Sequence, residues 1–137
     1  MEPAGKKILH PILTPEERRR LFREGIDLFN CGEFFAAHET WEEIWRSNDP
    51  EPRGLFQGLI QVAAALHQFR DLKRRTGPRI TFAKARGRLE PYAPQAKGLE
   101  ISELLRAVGV WQEWLENPEG DPPPEPRLRV VDPEAVR

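Results

Sequence analysis

Residues 25–45 read GIDLFNCGEFFAAHETWEEIW, and most of the predicted architecture follows from them. Their apolar residues recur every three or four positions on both sides of Gly32, as in two amphipathic helices joined by a turn. Glycine is the residue that most often ends a helix in the left-handed conformation. The stretch therefore predicts one helix that ends near Asn30 and a second that runs from about Glu33 to Ser47.

Upstream of this stretch, the first helix is expected to start at Thr14. Its hydroxyl can cap the helix, and Pro15 suits the first helical position because no N–H is needed there. Glu17 stands three residues after Thr14, which is the spacing of a capping box. Residues 1–13 are predicted to form an irregular lead before this helix.

Three more helices are expected downstream. The third runs from Pro50 or Arg53 to Thr76 and is apolar nearly all round, so it belongs in the middle of a bundle. The fourth covers residues 79–90 and is basic. The fifth covers residues 101–116, with apolar residues at every third or fourth position.

The predicted fold class is therefore all-α. A compact bundle of about five helices is expected to form a single domain over residues 14–117. Residues 118–137 are rich in proline and predict an extended C-terminal tail.

The composition is typical of one soluble domain. The chain has 137 residues, of which 39% are hydrophobic and 31% charged, and its net charge is −1. No apolar run reaches the roughly 20 residues that a membrane-spanning helix requires. Cys31 is the one cysteine, so an internal disulfide is excluded, and we expect it to be a small buried residue. Because the N-terminal residues also lack the pattern of a secretory signal, the expected location is cytoplasmic.

Charge is distributed unevenly along the chain. Residues 33–51 carry six acidic side chains and one basic one, whereas residues 70–88 carry eight basic side chains and one acidic one. The two segments are expected to form solvated faces that attract each other within or between subunits. Nucleic acid is not an expected partner, because the basic segment lacks interleaved aromatic residues, and a membrane is not expected either. Trp114 lies off the apolar face of the fifth helix, so it is expected to be an exposed contact with either the tail or a second subunit. Together with the opposed charges it predicts a homodimer.

Two histidines and a glutamate are the side chains best suited to chemistry. His38 and Glu42 are four residues apart and share one face of the second helix, whereas Glu39 is expected to point toward water. His67 lies on an apolar side of the third helix, and the three side chains converge if the two helices pack as a hairpin. The residues expected around this cluster are Phe34, Trp41, Trp45, Gln57 and Gln61.

Three interpretations of the cluster stay open. A structural cluster would pair the imidazoles with Glu42, glutamines or backbone carbonyls and so fix the helix register. A metal site would use His38, Glu42 and His67 to hold a divalent ion such as zinc or manganese. A metal-free pocket would use His38 as a general base. A zinc-protease motif is excluded, because Glu42 stands where that motif has its second histidine.

Two linked blocks of sequence resemble a known family. Residues 25–45 form the first block, and FQGLIQ at residues 56–61 followed by AALH at residues 64–67 forms the second. Together they are similar to the signature of a small helical bacterial and archaeal family, domain of unknown function 309. The resemblance covers about residues 21–89 and implies an all-α fold, but it implies no activity.

Two classes of function follow from these observations. The first is a non-catalytic module that binds a partner protein or a small ligand, with the His/Glu cluster in a structural role. The second is a small metal-assisted hydrolase that uses His38, Glu42 and His67. A water-accessible cavity at these residues would favour the enzyme, whereas a cluster sealed by Phe34 and Trp41 would favour the binding module.

Overall fold

The computed structural model describes residues 12–47 and 50–136, and its architecture is all-α, as predicted. The helices are α1 (Pro15–Asn30), α2 (Phe34–Trp45), α3 (Arg53–Arg70), α4 (Thr76–Leu89) and α5 (Ile101–Glu116). The described residues also form two 3₁₀ turns, Glu90–Tyr92 and Pro133–Val136, and a small antiparallel ribbon of β1 (Gln95–Ala96) and β2 (Leu99–Glu100). Most of the predicted irregular lead at residues 1–13 lies outside the described residues, which begin at residue 12.

Helix α1 begins and ends where the sequence predicts. The Glu17 amide donates to the Thr14 hydroxyl at 3.0 Å, and the Thr14 amide donates to the Glu17 carboxylate at 2.9 Å, so the capping box forms. At the other end, Gly32 has a φ of +80°, which glycine adopts without strain. Cys31, which was expected to be buried, is exposed. It follows the last turn of α1 as the capping residue, beyond the positions whose spacing faces the core.

Helix α3 lies in the middle of the bundle. It packs against α2 and α4, while α1 packs against α2 and α5 packs against α4. Nine of its 18 residues are buried, so a helix with apolar side chains on more than one side is what this position requires. Among the helices of the described residues, none has the length and apolarity needed to cross a membrane.

The boundary between α3 and α4 differs from the prediction. Helix α3 ends at Arg70 rather than at Thr76, and α4 already begins at Thr76. Lys73 has a φ of 57°, and a residue in this left-handed region cannot continue a right-handed helix. Pro78 falls in the first turn of α4, where a proline is tolerated, so it does not mark a break between helices.

Close packing between α1 and α2 depends on a glycine. Trp41 is fully buried, and its indole N–H donates to the carbonyl oxygen of Phe22 at 3.3 Å. Gly25 faces this indole so closely that a Cβ atom would clash with the ring. The absence of a side chain at Gly25 therefore lets α1 and α2 pack around Trp41.

The segment that follows α5 forms hydrogen bonds with the end of α1. The Asn30 side chain donates to the carbonyl oxygen of Leu128 at 2.9 Å and accepts from the Leu128 amide at 2.8 Å. The Trp111 indole N–H on α5 donates to the carbonyl oxygen of Pro124 at 3.0 Å. A bridge to Leu99 attaches the same segment to β2. The proline-rich segment is thus fastened to α1, α5 and the ribbon.

Candidate functional site

The described residues bring one set of metal-ligating side chains together on α2. This His38 group consists of His38, Glu39 and Glu42, whose ligand atoms all lie within 4.8 Å of one another. Glu39 is the next residue in the chain, and Glu42 follows His38 by about one helical turn. The Nδ1 atom of His38 lies 3.4 Å from a Glu39 carboxylate oxygen, and Nε2 lies 4.0 Å from one of Glu42.

Phe35 lies against both of the predicted histidines. Its ring is stacked on that of His38 with the centroids 5.9 Å apart, and it meets the ring of His67 at 5.0 Å. Phe35 is 52% exposed, whereas the side chain of His38 is only 21% exposed. These three rings, which we name the Phe35 surface, display an aromatic side chain where α2 meets α3.

His67 is paired within its own helix. Its Nδ1 atom lies 2.8 Å from a carboxylate oxygen of Asp71, and Arg70 donates to the same carboxylate at 2.9 Å. The hydrogen bonds from Arg70 and then His67 lower the pKa of Asp71 from 3.8 to about 2, because both favour the ionised carboxylate. The structure thus brings His38 and Glu42 together and adds Glu39, while His67 pairs with Asp71.

Two of the aromatic residues expected around His38 face the core. Phe34 and Trp41 are buried in the core, with the Arg70 guanidinium 4.7 Å from the centroid of the Phe34 ring. The ring that stacks on His38 is Phe35, one position further along α2. Phe34 and Trp41 thus belong to the core, and Phe35 is the exposed aromatic residue beside His38.

The remaining predicted residues are half-buried. Trp45 lies beneath the Arg53 guanidinium, which is 4.8 Å from the ring centroid, and Gln57 and Gln61 lie on α3. The Trp45 indole N–H, the Gln61 side-chain oxygen and Nδ1 of His38 are buried atoms with no hydrogen-bond partner among the described residues. The Glu39 oxygen near Nδ1 is within ion-pair distance, but it is not aligned for a hydrogen bond. This region of α2 and α3 therefore contains hydrogen-bonding atoms that no described residue satisfies.

The acidic and basic segments do not pair with each other in the described chain. Arg70 pairs with Asp71 and Glu125, and Arg79 lies 4.0 Å from Glu116. The helices of the two segments, α2 and α4, each pack against α3. The attraction expected between the two segments of one chain therefore does not form among the described residues. Arg70 and Arg79 pair instead with acidic residues outside the acidic segment.

Trp114, which was expected to be an exposed contact, meets the segment that follows α5. It is half-buried, and its indole N–H donates to the carbonyl oxygen of Glu119 at 3.1 Å. Its ring also packs edge-on against those of Phe69 and Trp111. Of the two contacts expected for Trp114, the one with the tail is present in the described chain.

Phe35, Glu39 and Asp71 are the site residues that the sequence interpretation missed. The spacing of four that links His38 to Glu42 also links His67 to Asp71, so the second pair could have been found by the same rule. Glu39 was assigned to solvent, and 51% of its side chain is indeed exposed, yet adjacency to His38 brings one oxygen within reach. For Phe35, the spacing of three from His38 predicts their contact within α2, whereas the contact with His67 depends on how α3 lies against α2.

Comparisons with known proteins give the same family as the two sequence blocks. An uncharacterized protein of Aquifex aeolicus (strain VF5) is 31% identical over 70 residues, which are 50% of this chain. The aligned part is 21% of that relative, so the match spans about a fifth of its length. A family profile described as "Domain of unknown function (DUF309)" matches residues 22–79, which include α2, α3 and the whole Phe35 surface. The predicted resemblance is confirmed, since residues 22–79 match the DUF309 family.

Proposed function

We propose that this protein is a non-catalytic binding module that recognises a partner protein through the Phe35 surface. The observation that supports this proposal is a half-exposed phenylalanine ring held between two imidazoles. Each imidazole in turn lies beside a carboxylate, Glu39 for His38 and the capping residue Asp71 for His67. An exposed aromatic side chain that is already fixed loses little conformational entropy on binding, which is a property of interface hot spots.

In this proposal the His38 group has a structural role. Glu39 and Glu42 keep the imidazole of His38 oriented against the Phe35 ring. Glu39 is exposed beside the imidazole that stacks on the ring, so the surface carries negative charge beside an apolar centre. A partner that offers an apolar side chain flanked by lysine or arginine would match this surface. The proposed location of the protein is the cytoplasm.

Site-specific photo-crosslinking tests the proposed surface. A benzophenone amino acid at position 35 should yield a specific adduct in cells, and one at Leu72 serves as the control because Leu72 is also an exposed apolar residue. The crosslinked protein should then bind the purified chain, and Phe35→Ala should weaken that binding more than about tenfold, as at a hot spot. Equal binding by wild type and Phe35→Ala would refute the proposal.

A metal-assisted enzyme is the second candidate function. The short distances between the ligand atoms of the His38 group favour it. Three protein ligands leave room for a bound water, which is the arrangement of catalytic zinc sites. Two ligand atoms that share one zinc ion lie at most about 4.2 Å apart, since each bond is about 2.1 Å long. The separation of up to 4.8 Å in the His38 group would therefore need a side-chain rotation on binding.

Isothermal titration with zinc and with manganese tests this second candidate. A specific site should bind one ion, and Glu42→Gln should weaken that binding, because an amide is a poorer ligand than a carboxylate. Glu43→Gln is a matched control, since Glu43 lies on the same helix outside the His38 group. Equal binding by the two variants would eliminate the metal site.

A further inference from the structure

A groove between α4 and α5 exposes apolar side chains away from the Phe35 surface. It has a volume of about 620 Å³, and Ile80 and Val110, which are both 51% exposed, line it. Gly109 lies beside Val110 in the groove. A Cβ atom at Gly109 would come near only the Arg86 guanidinium, at 3.7 Å, so the surface here is open. Half-exposed aliphatic residues grouped along a groove are typical of a binding surface.

The charges along α5 are arranged symmetrically about the centre of this groove. Arg106, Gly109, Val110 and Glu113 are spaced by three, one and three residues, so they share one face of the helix. The arginine precedes the Gly109–Val110 pair by as many residues as the glutamate follows it. We name these four residues the α5 face.

Other charged residues of the groove already have partners in the same chain. Arg86 donates to Gln112 at 3.1 Å, and Arg79 lies 4.0 Å from Glu116. By contrast, Arg106 and Glu113 are exposed and form no salt bridge with any residue in the described part of the chain. These two side chains are therefore the ones available to an incoming surface.

We propose that a second copy of this chain docks on the α5 face, with the two α5 helices antiparallel about a two-fold axis between Gly109 and Val110. This symmetry places Arg106 of each copy opposite Glu113 of the other, so two ion pairs form at the ends of the contact. Val110 of each copy meets the space above Gly109 of the other, where the missing side chain lets the helices approach closely. Ile80 on the neighbouring helix extends the buried apolar area.

The charges of the α5 face are complemented better by a second copy of the same face than by a uniformly charged partner. A nucleic acid or a strongly acidic peptide would meet Glu113 at one end of the α5 face, and a basic peptide would meet Arg106 at the other. An antiparallel copy satisfies both ends at once. The α5 face shares no residue with the Phe35 surface, so this inference is independent of the proposed function.

Analytical ultracentrifugation of charge-reversed variants tests the symmetry directly. The wild type should form a dimer in the micromolar range, because a contact of two helices is at the small end of stable interfaces. Arg106→Glu alone puts glutamate opposite glutamate twice, and Glu113→Arg alone puts arginine opposite arginine twice. Each variant should raise the Kd for dimerisation by more than about tenfold.

Mixing the two single variants should restore the dimer. In a mixed pair, each substituted residue faces an opposite charge, so equal amounts of Arg106→Glu and Glu113→Arg should form a heterodimer of near wild-type affinity. Recovery on mixing also shows that neither variant is unfolded. Arg88→Glu is the matched control, since Arg88 is exposed on α4 outside the α5 face, and it should dimerise as the wild type does.

Three results would each overturn the inference. The wild type could remain a monomer at high micromolar concentration, the single variants could dimerise as well as the wild type, or the mixture could fail to associate. The last result would point to a contact of a different geometry, because only an antiparallel two-fold contact pairs residue 106 with residue 113 in both directions.

Discussion

Replacement of His38 by alanine tests the structural role of the His38 group. The substitution removes the imidazole that stacks on Phe35, and such ring contacts contribute about 0.5–1.5 kcal/mol. It also removes the contacts of the imidazole with Glu39 at 3.4 Å and Glu42 at 4.0 Å, which are ion pairs only when His38 is protonated and together contribute about 0–1 kcal/mol after screening by solvent. We therefore expect His38→Ala to lower the free energy of unfolding by about 1–2 kcal/mol.

Thermal and urea unfolding followed by circular dichroism would measure this loss. For a chain of this length, a loss of about 1–2 kcal/mol corresponds to a fall in Tm of roughly 3–8 °C. Glu39→Ala is a suitable control, because it removes the more exposed carboxylate and leaves the ring contact intact. It should change the free energy of unfolding by less than about 0.5 kcal/mol.

The same melts distinguish the structural role from metal binding. With a chelator, and then with added zinc or manganese, a structural cluster should give the same Tm in each condition. If His38→Ala unfolds at the wild-type temperature, the reasoning from the ring contact is refuted. A metal-dependent rise in Tm that His38→Ala abolishes would also refute the structural role and support the second candidate function.

Three further predictions concern other parts of the chain. Gly25→Ala should lower the free energy of unfolding by at least about 2 kcal/mol in urea titrations, because the new methyl group would clash with the Trp41 indole; an unchanged midpoint would contradict this packing. Asn30→Ala should cost about 1–3 kcal/mol, since it leaves the amide and carbonyl of Leu128 without partners, and it should accelerate hydrogen exchange at that amide. The pKa of Asp71 is lowered from 3.8 to about 2, so its ion pairs stabilise the fold above pH 4 and are lost as the pH falls toward 2. The stability difference between wild type and Asp71→Asn should shrink over that pH range, and a difference that does not depend on pH would contradict the pairing.

The helix ends that depend on local interactions could be predicted from the sequence. The capping box of Thr14 and Glu17 needs residues three positions apart, and the turn at Gly32 needs a single residue with a positive φ. The end of α3 could not be predicted in the same way. Lys73 takes the left-handed conformation without being a glycine, so the residue type gives no signal there.

Only the contacts of the candidate site that lie within one helix could be predicted from the sequence. His38 and Glu42 meet because of their spacing within α2. Contact between Phe35 and His67 depends on how α2 and α3 are rotated against each other, and helical periodicity alone does not determine that rotation. The same limit applies to Asn30 and Leu128, since their pairing joins distant parts of the chain.

The pairing of Asn30 with Leu128 has a consequence for the order of events on the ribosome. These residues are 98 positions apart, so four further helices have been synthesised before the partner of Asn30 exists. Until then the Asn30 side chain can form hydrogen bonds only with water or with other groups. The indole N–H of Trp111 likewise has no Pro124 carbonyl to donate to until residue 124 has been synthesised. The helices can collapse early because their contacts are mostly between neighbours in sequence. These hydrogen bonds form only after the nascent chain has been translated past Pro124 and Leu128, so a chain terminated before Pro124 would keep its helices but lack both contacts.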